Sequence, residues 1–252
     1  MLQNPDPQVE NPSRMERTDD VDFTVTPAVL GRLVLGITGI LVVAYLIFAI
    51  NSEILGSEFF GSTILYVLFD LHGEVTVPTW YSSMLLLGCS LVLAAIAVLK
   101  LRRRDRYGRH WAGLSIVFLG LSIEESADLH GAVSQQLQSI FNTGGALAYP
   151  WVIPAAIFTL IFGLVYLRFL FHLPPATRRQ FILAASLYVV GALVVEMIEA
   201  AWDSRYGEGI PYLLMVALEE GMEMAGAIVF LVALLSYLGS LASPLRVAIK
   251  RR

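Results

Sequence analysis

Charge is scarce in this chain. Only 15% of its 252 residues are Asp, Glu, Lys or Arg, where a soluble domain carries about a quarter. That deficit excludes an ordinary cytosolic enzyme and a disordered chain. The net charge of −4 provides no electrostatic footprint for DNA or RNA, so no nucleic-acid partner is expected. Cysteine is limited to Cys89, inside an apolar run, which excludes a disulfide framework and a thiolate metal cluster. Apolar residues are abundant at 56%, with a mean hydropathy of +0.68. The composition is that of a multi-pass protein of the cell membrane.

A hydrocarbon core about 30 Å thick takes roughly 20 apolar helical residues to cross. Five runs reach that length: Gly31 to Ile50, Trp80 to Leu99, Trp151 to His172, Gln180 to Ala200 and Pro211 to Leu241. A sixth, His110 to Leu129, is apolar at first and then turns acidic. Lipid offers no partner to a free backbone amide, so each run is expected to be helical. With the N-terminus cytoplasmic and six spans, 16 of the 17 basic residues fall on the cytoplasmic side and only Arg205 outside, as the positive-inside rule requires. Trp80, Tyr81, Tyr149, Trp151, Trp202, Tyr206 and Tyr212 then form an outer aromatic belt.

The expected fold class is therefore an all-α membrane bundle of six helices with both termini cytoplasmic. Residues 1–30 are read as a disordered cytoplasmic tail, 31–241 as the transmembrane domain and 242–252 as a basic cytoplasmic tail. Between the first two spans, Ser62 to Leu71 is too short to cross and is expected to form an interfacial helix. Gly131 to Tyr149 begins as a Gln-rich continuation of the third helix.

Acids inside spans are the informative departures, since each costs about 2.5–3.5 kcal/mol at a helix centre. The third span ends with Glu124, Glu125 and Asp128, and the fifth with Glu196, Glu199 and Asp203. The sixth carries Glu219, Glu220 and Glu223 in its first half. Given the alternating directions, all three sets lie in the outer half at similar depth. Spacings of three and four put each set on one side of its helix. Nine carboxylates then face one interior without a lysine or arginine, which calls for bound cations or shared protons. The competing reading, that the helices end early and the acids meet water, is weaker for Glu219, Glu220 and Glu223, the last of them well inside its run. Glu223 stands roughly 18 Å along its helix from Pro211.

Paired carboxylates on several helices are the ligand pattern of metal sites in bundles. The expected ligands of a divalent metal ion are Glu124, Glu125, Asp128, His130, Glu196, Glu199, Glu220 and Glu223, with His72 reaching in from above. His130 lies about 200° around the helix from Asp128 and joins the face only if the helix loosens near Gly131. Such oxygen-rich ligands suit Zn, Fe, Mn, Mg or Ca, and Glu219 is the expected general base.

Three segments resemble an uncharacterised prokaryotic multipass membrane family: Glu74-Val-Thr-Val-Pro-Thr-Trp-Tyr-Ser82, Glu124-Glu125-Ser-Ala-Asp128-Leu-His130 and Glu219-Glu220-Gly-Met-Glu223-Met. The resemblance spans roughly residues 30 to 240 and implies no known activity. The functional expectation is a metal-dependent enzyme on a lipid-type substrate, or a sensor. A cation- or proton-coupled transporter is the alternative, and a structural membrane protein the third.

Overall fold

The computed structural model describes residues 26–55 and 62–241, so the expected basic tail and nearly all of the N-terminal tail lie outside the described residues. Those described form helices α1 (Pro27–Leu55), α2 (Ser62–Phe69), α3 (Val77–Arg102), α4 (Gly108–Ala127), α5 (Leu129–Phe141), α6 (Val152–His172), α7 (Pro175–Val189), α8 (Glu196–Tyr206) and α9 (Ile210–Leu241). They contain no strand. A π-helical turn, Val190–Val195, joins α7 to α8 in one run from Pro175 to Tyr206. Among the described residues five runs are long and apolar enough to cross a membrane: α1, α3, α6, α7–α8 and α9. The chain is a multi-pass membrane protein.

α4 is not among these five, because its last turn carries Glu124 and Glu125. It packs antiparallel to α3 through a seam of serines. Ser83 Oγ donates to the Ser122 carbonyl at 2.8 Å and Ser122 Oγ to that of Ser83 at 2.9 Å. Seven residues further along α3 the same reciprocal pair recurs, at 2.8 and 2.9 Å, between Ser90 and Ser115. Small side chains let the two backbones approach, and each hydroxyl is satisfied by the backbone carbonyl of the opposite serine.

α9 is the central helix. It runs antiparallel to α1, with Gly31 opposite Val232 and Gly221 opposite Val42. It is also antiparallel to α7, with Gly226 against Ala184 and Tyr188, and Gly191 of the π-turn against Glu219 and Glu223. A Cβ at Gly191 would stand 3.0 Å from the Glu219 carbonyl oxygen, so only glycine allows this closeness. The π-turn inserts an extra residue per turn, and such turns recur at functional sites. Here it immediately precedes Glu196.

The two ends of the bundle differ in chemistry. At one end the α3–α4 turn meets the ends of α6 and α9. Lys100 pairs with Asp105 at 2.9 Å, Arg103 donates to the Leu241 carbonyl, and the Tyr107 hydroxyl donates to that of Arg168. Above this end sits a dry core of Cys89, Leu93, Ile96, Trp111, Phe230 and Leu234. The opposite end holds the loop from Asp70 to Thr76, the α4–α5 junction and the start of α9. α6 fully buries Val152 and Phe169, packs Phe162, Tyr166 and Leu170 against the core, and turns its other face, with Ile157, Leu160, Ile161 and Leu164, outward, as a lipid-facing helix does.

Two local expectations are corrected. The polar stretch after Asp128 is not a continuation of α4. Asp128 takes a left-handed backbone, φ 47° and ψ 50°, ending α4 and starting α5 as a separate helix. Tyr212 is not a lipid-facing anchor but is 3% exposed inside the acidic end. Tyr81 also turns inward, its hydroxyl donating to the Val34 carbonyl at 2.7 Å.

Candidate metal centre

The α4–α5 junction explains how His130 joins the acids. The loosening falls at Asp128 and not at Gly131. Aspartate tolerates the left-handed region because its short polar side chain bonds locally. Its Oδ1 accepts the Gly131 amide at 2.8 Å and caps α5. A Cβ at Gly131 would strike that carboxylate, so a larger residue there displaces the cap. The reversal swings His130 back over the last turn of α4. Its Nδ1 lies 2.6 Å from Glu124 Oε1, which also accepts the His130 backbone amide at 3.2 Å.

With Nδ1 donating to Glu124, Nε2 is the nitrogen that offers a lone pair once the ring is neutral. It stands 3.5 Å from Glu74 Oε1 and 3.9 Å from Asp128 Oδ1. Glu74, Asp128 and His130 offer ligand atoms all within 4.8 Å of one another. Two ligands of a tetrahedral ion at about 2.1 Å lie roughly 3.4 Å apart, so these separations fit a shared ion. Each side chain is about one-third exposed, 31% for His130, 36% for Glu74 and 38% for Asp128. The group is accessible without being a free surface cluster.

Burial works against a charge on His130, but the hydrogen bond to Glu124 and the charges of Glu124, Glu74 and Glu196 outweigh it. The imidazolium pKa is pushed up to about 9. Burial, aided by Asp128 and Glu124 and opposed by His130, holds the Glu74 carboxyl above the usual carboxylate range. Glu74 enters from a turn pinned by the Thr79 hydroxyl on the Gly73 carbonyl at 2.6 Å and by Thr76 capping α3. Trp151 braces the far side. Its indole N–H donates to Glu196 Oε1 at 2.6 Å while its ring lies 5.2 Å from the His130 ring.

The other acids sort into two further groups. Glu199 is buried beside Glu219, Tyr212 and His72, with Asp203 nearby. Glu125, Glu220 and Glu223, each partly buried, lie within electrostatic reach of one another. Glu125 and Glu223 line a small cavity with Ser82 and Tyr188. Consecutive helical residues differ by about 100°, which is why Glu124 and Glu125 face different neighbours, and likewise Glu219 and Glu220. The charged neighbours of Glu219 are Glu199, Glu223 and Glu196.

Sequence reasoning did not number Glu74, Tyr212, Trp151 or Tyr188 among the site residues. Only Glu74 carried a usable signal, as the first residue of the Glu-x-x-x-Pro-Thr-Trp-Tyr-Ser segment. The aromatic residues looked like belt or packing positions.

These features define a class: a multi-pass helical membrane protein with a carboxylate–histidine cluster at one end of its bundle. Residues 33–238 match the family described as domain of unknown function DUF8692, and the chain belongs to that family. No curated protein and no solved structure matches it.

Proposed function

We propose that the chain is a six-span protein of a prokaryotic cell membrane that holds a divalent metal ion at Glu74, Asp128 and His130. Six alternating spans, α4 included, put both termini in the cytoplasm, the acidic end in the outer leaflet and α2 along the interface. The support is the serine seam that pairs α4 with α3 over its length and the collection of basic residues at the other end.

The observation that carries the metal reading is the Glu124–His130 pair. A carboxylate on Nδ1 that leaves Nε2 facing two more carboxylates is the arrangement that orients a ligating histidine. The imidazole in the set favours Zn²⁺ or Fe²⁺ over Mg²⁺ and Ca²⁺, while the two carboxylates also suit Mn²⁺. Three protein ligands leave coordination positions open, as in sites that do chemistry rather than hold structure. Bound there, the ion would activate water or O₂ against a lipid-type substrate entering beside the lipid-facing α6. Glu219, the base expected from spacing, has Glu199 as its neighbour. We therefore give the base role to Glu125, whose charged neighbours are Glu124, His130 and Glu74.

Elemental analysis of the purified, detergent-solubilised protein tests this. A stoichiometric divalent metal that disappears in His130→Ala and Glu74→Gln is expected. Wild-type protein without metal, or metal retained in both variants, refutes it. A second reading, cation transport, draws on Glu125, Glu220 and Glu223, which extend acidic character inward past the His130 group. It requires pH- or cation-dependent flux in proteoliposomes that Glu223→Gln abolishes.

A further inference from the structure

Glu199 has no role in the centre just described, and its surroundings are unusual. It is 1% exposed, and its Oε2 is buried without a hydrogen-bond partner. The groups around it are the Glu219 carboxyl, the Tyr212 hydroxyl and the His72 imidazole, with the Asp203 carboxylate nearby. Its Oε1 lies 3.9 Å from His72 Nδ1. His72 Nε2 in turn lies 3.4 Å from the Tyr212 hydroxyl, an interaction that orients the ring and leaves Nδ1 toward Glu199. Among the described residues no lysine or arginine pairs with this group. Arg205, close in sequence, lies over the Tyr206 ring. A buried carboxylate oxygen with no donor is costly, and a second carboxyl beside it compounds the cost unless a positive charge sits between them.

We propose that Glu199, Glu219 and His72 form a second divalent-cation site, separate in its ligands from Glu74, Asp128 and His130. Two carboxylates and one neutral imidazole, the same donor set as in the first site, match the charge of a divalent ion such as Mn²⁺. The His72 side chain is 56% exposed while that of Glu199 is 2% exposed. The ion therefore enters from the outer face, and the histidine closes over it. This set is looser than the first, so closure of His72 is part of binding. The turn from Leu71 to Thr76 serves both sites, giving His72 to one and Glu74 to the other. Its geometry is held by the His72 amide donating to Asp70 Oδ1 at 3.1 Å.

The experiment counts Mn²⁺ bound to full-length protein in detergent after chelator stripping and equilibration with the metal. Two equivalents are expected in wild type, one in Glu199→Gln, one in His130→Ala and none in the double variant. A single wild-type equivalent that survives Glu199→Gln and is lost in His130→Ala overturns this site and leaves the first standing. A single equivalent lost only in Glu199→Gln supports this site and removes the first. No bound Mn²⁺ in wild type overturns both. A carboxylic-acid infrared band lost in Glu199→Gln, with one metal equivalent in wild type, assigns a shared proton here and also overturns the proposal. Should Glu199→Gln fail to fold by gel filtration, His72→Ala, at an exposed side chain, gives the same count.

Discussion

Replacing Glu124 by Gln separates two effects that the 2.6 Å contact with His130 combines. The carboxylate makes His130 a better metal ligand, and loss of such a partner typically costs 10–100-fold in affinity. The same carboxylate also stabilises the competing proton. With a pKa of about 9, the wild-type imidazole is about 99% protonated at pH 7, and a metal must displace that proton at a cost of about 3 kcal/mol. Wild-type affinity for Mn²⁺ should then rise about tenfold per pH unit from pH 6.5 to 8.5. Gln at 124 keeps an acceptor but removes the charge, so the histidine pKa falls and the slope flattens at lower pH. Near pH 6.5 the two losses offset and the affinities nearly coincide, whereas by pH 8.5 the wild type leads by about tenfold or more. Calorimetric titration across this range reads both slopes. Parallel pH profiles, or a tighter Glu124→Gln variant at pH 8.5, would refute the assignment of Glu124 as the group that positions His130.

Gly131→Ala should push the Asp128 carboxylate from its cap, costing about 1–2 kcal/mol and lowering metal occupancy; a melting curve and a metal count check both effects. Metal-free protein should be more stable at pH 6.5 than at pH 9.5. The raised His130 pKa gives stability that is full below the unfolded value and fades as pH climbs through about 9; thermal unfolding in chelator measures it. Ser83→Ala removes the donor to the Ser122 carbonyl and should cost about 0.6 kcal/mol; an unchanged melting curve would mean the seam is held by shape alone. Six spans predict that Asn142→Cys reacts with an impermeant maleimide from outside and Arg104→Cys only after permeabilisation. Native Cys89, at 0% exposure, should stay silent.

The apolar runs were legible because lipid imposes one local rule: a long apolar segment must close its own hydrogen bonds as a helix. That rule places α3, α6 and α9 close to their expected bounds. The first and fifth expected spans, Gly31 to Ile50 and Gln180 to Ala200, are extended at both ends, to Pro27–Leu55 and Pro175–Tyr206, because helix runs on into polar flanks that an apolar run does not mark. The π-turn at Val190–Val195 has no signature in a run of valines, alanine and leucine. It reflects the close passage of Gly191 over Glu219 and Glu223.

The acids followed the same division. Periodicity and chain direction sufficed to say that the acids of three helices share one end of the bundle, because depth follows from rise per residue. Which acid faces which was a tertiary matter. One left-handed residue at Asp128 moved His130 from the wrong side of a helix onto Glu124. A turn before α3 supplied Glu74, and the 100° step between consecutive residues sent Glu219 to Glu199 while Glu220 faced Glu223 and Glu125. The sequence alone determined that the chain lives in a membrane and carries buried acids at one end, since burial in lipid penalises each residue locally. The partition of those acids into separate groups rests on side chains brought together from residues 72 to 223, and only the packed helices decide such distances.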